Sequence, residues 1–321
     1  MDGPISWMIH RETVLLLGWG RAILMQFAHP MVARGVAEHS AVRAEAFGGW
    51  RRLHRTLGAM LALTFADRDE AQLATDRINA IHERVHGMLA SGEGAFAAGT
   101  PYSARDPALL GWVHATLVDS FLLTYERFVR PLSAAARDQY CAESAGIEDL
   151  LRIPAGSLPR TASALEAYVA SRLASGEIHV TDTARALARG VLYPPMSAPA
   201  WPALATLRLA TIGLLPSTLR EGYGLPWDPS RAAALGVVTA VFRKLVPLAP
   251  PVVRYWPRAR AAMRRADRGR PTGASAAGGP PYGRSSRAFS NHSRCAAIRI
   301  LSSQTVGVSV VSECSVWRPF K

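Results

Sequence analysis

Cysteine is nearly absent: Cys141, Cys295 and Cys314 are the whole supply in 321 residues. A single thiol ahead of the last stretch of chain closes no disulfide framework, and the lack of any CxxC pair removes zinc-ribbon designs. That usage fits a reducing cytoplasm, the expected location. Also missing is an unbroken apolar run of membrane-spanning length. Val14–Ala28 (VLLLGWGRAILMQFA) is interrupted by Arg21 and has no small-residue cleavage site, so it reads as a buried helix rather than a leader. Ala232–Val253 contains Arg243, Lys244 and three prolines, which argues against a bilayer span. Alternating β-branched runs do not occur before the extreme C-terminus, and no solenoid-type repeat is present.

Carboxylates are scarce in one place. From Arg254 to Lys321 there are 13 basic residues against Asp267 and Glu313 alone, a net of +11, whereas the first 253 residues carry 24 basic and 22 acidic side chains. The body is therefore close to neutral, and no nucleic-acid partner is expected. Arg254–Arg270 (RYWPRARAAMRRADRGR) suits peripheral contact with an anionic membrane, with Trp256 beside its arginines. Pro271–Ser286 is linker-like, and Ala296–Val311 has a strand-like pattern without a sheet partner, so 271–321 is expected to be a poorly ordered basic tail.

What is present is apolar residues, 49% of the chain, enough for a sizeable core. Helical spacing predicts helices near 10–28, 44–65, 69–91, 107–130, 134–145, 162–175, 183–190, 201–213 and 230–246. Asp106-Pro107 is an N-cap with proline in the first turn. Asp69 precedes a helix that Gly87 or Gly92 stops, while Pro194-Pro195, Pro216 and Pro226 break up the second half. The expected architecture is all-α. It comprises one multi-helix domain over 1–253 with a buried central helix, an Arg-rich segment at 254–270, and the tail.

Four groups of residues carry chemistry. His82-Glu83-Arg84-Val85-His86 is a literal HExxH; on a helix its histidines would share a face and hold zinc, with Glu83 as the base. Arg84 inside the motif and Gly87 directly after it favour the plainer reading of a half-buried helix end. Arg52, Arg55 and Thr56 stand at i, i+3 and i+4, so two guanidiniums and a hydroxyl project from one face. Such a set suits a buried carboxylate, a haem propionate or dioxygen; taken alone, it is equally a solvated basic face. His114 sits in an almost wholly apolar helix beside the small Ala115 and Val118. A neutral imidazole there is a competent iron ligand, although lone histidines on apolar faces are usually satisfied core residues. His29-Pro30 opens with a helix break, and His29 and His39 read as capping or packing groups.

In this order the pieces resemble the MpaB / rubber-oxygenase family. They are Gln26-Phe27-Ala28-His29-Pro30 with Val32-Ala33-Arg34-Gly35-Val36 and His39-Ser40, then Arg52-Leu53-His54-Arg55-Thr56. Ile81-His82 with Val85-His86-Gly87, Tyr102-Ser103-Ala104, Asp106-Pro107 and Trp112-Val113-His114-Ala115-Thr116-Leu117 follow. Leu215-Pro216, Arg220 and Tyr223-Gly224-Leu225-Pro226-Trp227 complete the set, which covers roughly residues 5–265.

The resemblance implies an all-helical fold related to latex-clearing proteins, which use a b-type haem and dioxygen on polyisoprene. It makes His114 the match to their proximal iron ligand. Arg52, Arg55 and Thr56 match an arginine, lysine and threonine lying over the distal face. Arg55 replaces the lysine that can ligate iron, and an arginine keeps its proton. The implied activity is that of a haem b oxygenase acting on a hydrophobic, lipid- or isoprenoid-like substrate rather than on rubber itself. The alternative is a non-catalytic helical protein that binds lipid or docks on a membrane.

Overall fold

Caps set where the helices begin. The Asp67, Asp106, Ser133, Thr161, Thr181 and Asp228 side chains each accept a backbone N–H from the first turn that follows them. In the computed structural model the described residues are 4–39, 48–195 and 197–268; the side chains of 48–55 and everything after 268 lie outside the description. The expected tail at 271–321 therefore falls outside the described residues.

The N-terminal half runs α1 (Ile5–His10), α2 (Leu16–Phe27), α3 (Pro30–His39), α4 (Gly48–Phe65) and α5 (Arg68–Arg84). A small antiparallel pair, β1 (His86–Met88) and β2 (Pro101–Ser103), precedes the long α6 (Pro107–Phe128). Then come α7 (Ala134–Ser144), α8 (Glu148–Leu151), α9 (Ala162–Ala174) and α10 (Asp182–Leu192). The chain continues through α11 (Trp201–Leu214), α12 (Ser217–Gly222), α13 (Pro229–Leu245), α14 (Pro251–Arg254) and α15 (Pro257–Arg268). The all-α expectation holds, with one short hairpin added.

The core is built around α2, which lies against α6 on one side and α11 on the other. Glycine permits both approaches: a Cβ on Gly18 would meet the Thr124 hydroxyl of α6 at 1.9 Å, and one on Gly20 would meet Thr211 of α11 at 2.1 Å. Arg21, the charge that interrupts the apolar run, is buried and joins all three helices. Its Nε donates to the Leu214 carbonyl at 2.7 Å, and its Nη1 donates to Ser120 Oγ at 2.7 Å and pairs with Asp119 at 2.6 Å. A buried guanidinium is tolerable only when paired and bonded in this way. Trp112 Nε1 and the Tyr223 hydroxyl donate to the Met25 and Leu24 carbonyls, at 3.2 and 2.6 Å, completing the clamp on α2.

α6 is long and apolar enough to cross a membrane by length and composition, and 67% of that stretch is buried inside the domain. It is the buried central helix that the sequence predicts. The break at Ala28-His29 is two residues wide, and Pro30 then opens α3 as a first-turn proline. Residues 254–268 are built into the same body: Ala259 and Ala262 of α15 pack on Leu61 and Phe65 of α4. The arginines there are largely engaged, with Arg254 on Glu12, Arg258 on Glu70 and Arg265 on the Phe65 carbonyl.

Candidate functional site

His114 lies near the start of the central helix, flanked by the buried Trp112, Ala115 and Thr116, with its own ring half-buried. Burial pushes its pKa down to about 4, offset in part by the charge of Glu148. It is therefore neutral at physiological pH, with a nitrogen lone pair available. Among the described residues neither ring nitrogen has a hydrogen-bond partner. That includes the carbonyl or carboxylate to which a metal-binding imidazole usually donates its other N–H.

Phe121 follows His114 by seven residues, two turns along the same face of α6. Over Phe121 stands His10 of α1, edge-on at 5.7 Å and 77°. Burial lowers the His10 pKa to about 4, and His114 nearby further opposes its protonation. Its tautomer follows from its partners. Thr64 Oγ1 gives its proton to the Met60 carbonyl at 2.9 Å, so towards His10 Nδ1, 3.1 Å away, it accepts. Nε2 is then the acceptor for the Tyr140 hydroxyl at 2.8 Å. His10, Thr64 and Tyr140 thus form a neutral, fully bonded group beside His114. No motif surrounds His10 in the sequence, so nothing there signals this role.

Thr64 places the C-terminal half of α4 in this corner. Two to three turns earlier on the same helix are Arg52, Arg55 and Thr56. Thr56 is exposed, and the side chains of Arg52 and Arg55 lie outside the described residues. The predicted set is thus divided between a described His114 and an α4 face of which only the backbone and Thr56 are described.

The other motifs resolve differently. α5 ends at Arg84 and His86 belongs to β1, so His82 and His86 share no helical face; Glu83 pairs with Arg152 at 3.2 Å. No group of three or more His, Cys, Asp or Glu side chains able to hold a metal exists among the described residues. The HExxH spelling is therefore not a zinc site: the helix stops before its second histidine. His29 is buried, stacks on Phe96 at 5.5 Å and has its pKa lowered to about 4 by burial, then by Arg172, against Asp106. His39 bonds to the Tyr102 hydroxyl at 3.3 Å. Both act as packing groups.

A polar cavity of about 390 Å³ is lined by Arg34, Glu93, His179, Thr181, Asp182 and Arg185, and a smaller one by Asn79, His82 and Arg152. His114 lines neither of them.

An iron at His114 would thus find no protein-built cage. A single neutral imidazole is a donor that a metal already held by its own organic ligands could use, and the described residues supply no further ligand around it. A single multi-helix domain around a buried central helix is the class these observations define. The chain belongs to the family described as "ER-bound oxygenase mpaB/B'/Rubber oxygenase, catalytic domain", which it matches over residues 7–248. No curated protein and no solved structure matches it.

Proposed function

We propose that this chain is a haem b-dependent oxygenase acting on a hydrophobic, lipid- or isoprenoid-like substrate with dioxygen. One observation carries the reading: an oxygenase-family domain presents, on its central buried helix, an imidazole kept neutral and with no hydrogen-bond partner among the described residues. His114 would hold the iron. Haem, when bound, supplies the dioxygen chemistry.

The remaining roles belong to the chain. Burial keeps His114 unprotonated, so its lone pair stays free. Leu117 and Val118, one turn further along α6, are packed in the apolar core and keep water from that side of it. Arg52 and Arg55 would offer fixed positive charge to a propionate or to the oxygen substrate, and Thr56 a hydroxyl to the same group. Arg55 cannot take the place of a metal ligand, so the α4 side would contribute charge and hydrogen bonds alone.

The full chain, produced with a haem precursor, is expected to be red-brown and to show a Soret band. His114→Ala should lose the band, while His86→Ala, at an exposed position of β1, should keep it. A colourless protein that also takes up no added haemin would sink the proposal.

A further inference from the structure

The exposed apolar surface is concentrated in one short stretch. Val237, Val241, Leu245, Leu248, Val252 and Val253 are all exposed, from 44% at Val241 to 78% at Leu248. The first three recur every fourth residue and form one ridge along α13, which the chain continues through the turn at Val246–Leu248 into α14. The adjoining side of α13 is satisfied: Leu235 is buried, and Val238 and Phe242 pack against the core. The apolar face of the helix is therefore broader than the part the domain covers. An unpartnered apolar ridge of this length on a surface calls for an occupant.

Charge identifies the occupant. Pro229 to Ala266 contains no Asp or Glu at all. Lys244 falls by helical period among Val237, Val241 and Leu245; it is exposed and makes no ion pair among the described residues. Arg243 next to it is also exposed and donates only to the Glu126 carbonyl, at 3.1 Å. A ridge of valine and leucine with basic side chains and no carboxylate is the composition that sits at the headgroup boundary of an anionic bilayer. With no carboxylate along it, the ridge carries no charge that an anionic headgroup layer would repel.

We infer that residues 237–253 dock the domain on an anionic lipid bilayer. The Arg-rich segment 254–268, where the sequence places such a contact, has its first arginines and its apolar side committed to the domain. Arg254, Arg258 and Arg265 are held by Glu12, Glu70 and the Phe65 carbonyl, and α15 is packed on α4. The ridge immediately before it remains free. The inference is independent of haem, although docking of this kind would bring an apolar substrate to the domain.

Vesicle flotation of the full chain tests it. The chain should float with phosphatidylcholine vesicles containing phosphatidylglycerol, and less with phosphatidylcholine alone. Leu245→Asp or Val241→Asp should weaken partitioning about tenfold, the loss of one apolar anchor plus an unfavourable charge. Lys244→Gln should weaken it about fivefold on the anionic vesicles only. These positions are exposed, so far-ultraviolet circular dichroism should show an unchanged fold. Failure to float with either vesicle overturns the inference, as does equal flotation of the aspartate variants. A dimer in light scattering that Leu245→Asp dissolves, with no vesicle binding, would assign the ridge to a second copy of the chain instead.

Discussion

Arg254 grips Glu12 with both arms of its guanidinium: Nε reaches the two carboxylate oxygens at 3.1 and 2.9 Å, and Nη2 reaches Oε1 at 2.7 Å. The Glu12 side chain is completely buried, so this pair ties the first turns of the domain to its last ones across 242 residues of chain. Trp256 N donating to the Arg11 carbonyl at 3.1 Å closes the same seam. Arg254→Ala would strand a buried carboxylate with only Arg11, at 3.9 Å, nearby. It is expected to cost about 3 kcal/mol in chemical denaturation. Arg254→Lys keeps the charge but loses the fork, and should fall between the two.

Two glycines on helices should respond to alanine in opposite directions. Gly18→Ala drives a methyl into the Thr124 hydroxyl and to within 2.9 Å of the Ser120 carbonyl, at the tightest contact between α2 and α6. Backbone cannot yield there, so a loss of about 2 kcal/mol or more is expected. Gly58, in α4, has nothing within 4 Å of its would-be Cβ. Gly58→Ala should stabilise the protein by about 0.5–1 kcal/mol, because alanine loses less backbone entropy on forming helix. Thermal midpoints of the two variants decide the matter, and a stable Gly18→Ala protein would contradict the packing described for α2.

Much of this arrangement is legible in the sequence, and the omissions have causes. Asp106-Pro107 announces α6 because a cap and a first-turn proline are local signals, and the apolar run behind them marks it as central. Pro30 misleads in part: it reads as a break, yet proline is well suited to a helix start, and α3 follows at once. β1 and β2 escape notice because three-residue strands have no periodicity to detect. Their pairing places Gly87 opposite Tyr102, whose ring leaves no room for a side chain there. α15 looks like a solvated basic stretch because arginines dominate it. Ala259 and Ala262, three apart, are the only trace of its buried face. His10 is the largest gap in reading the site, since its partners Thr64 and Tyr140 are 54 and 130 residues away.

Buried neutral histidines should make the fold acid-sensitive. His29 and His10 have pKa values lowered to about 4, mainly by burial, against an ordinary value of 6.5. Each ring takes up a proton more readily in the unfolded chain, so its contribution to stability is fully present above about pH 6.5. That contribution falls as the pH drops from there towards about 4. By about pH 5 the loss should be on the order of 2 kcal/mol for a ring such as His29. Urea midpoints at about pH 7 and pH 5 measure it. His29→Asn, which cannot titrate in this range, should show a flatter pH profile even if it is less stable throughout. An unchanged slope would mean that His29 is accessible to protons in the native state.

Zinc should not bind at the His82–His86 segment. The HExxH spelling fails because Val85 leaves the helix, with φ −95° and ψ 88°, and His86 then pairs in register with Ser103 across the hairpin. A zinc ligand pair needs both imidazoles on one face, and the chain turns between them. Glu83, which would be the base of a metallohydrolase, is exposed and pairs with Arg152 instead. His82→Ala and Glu83→Gln should therefore leave the metal content of the purified chain unchanged, and dialysis against a chelator should not shift its thermal midpoint. Stoichiometric zinc that disappears in His82→Ala would require this segment to fold as a continuous helix through His86, which the β1–β2 pairing forbids.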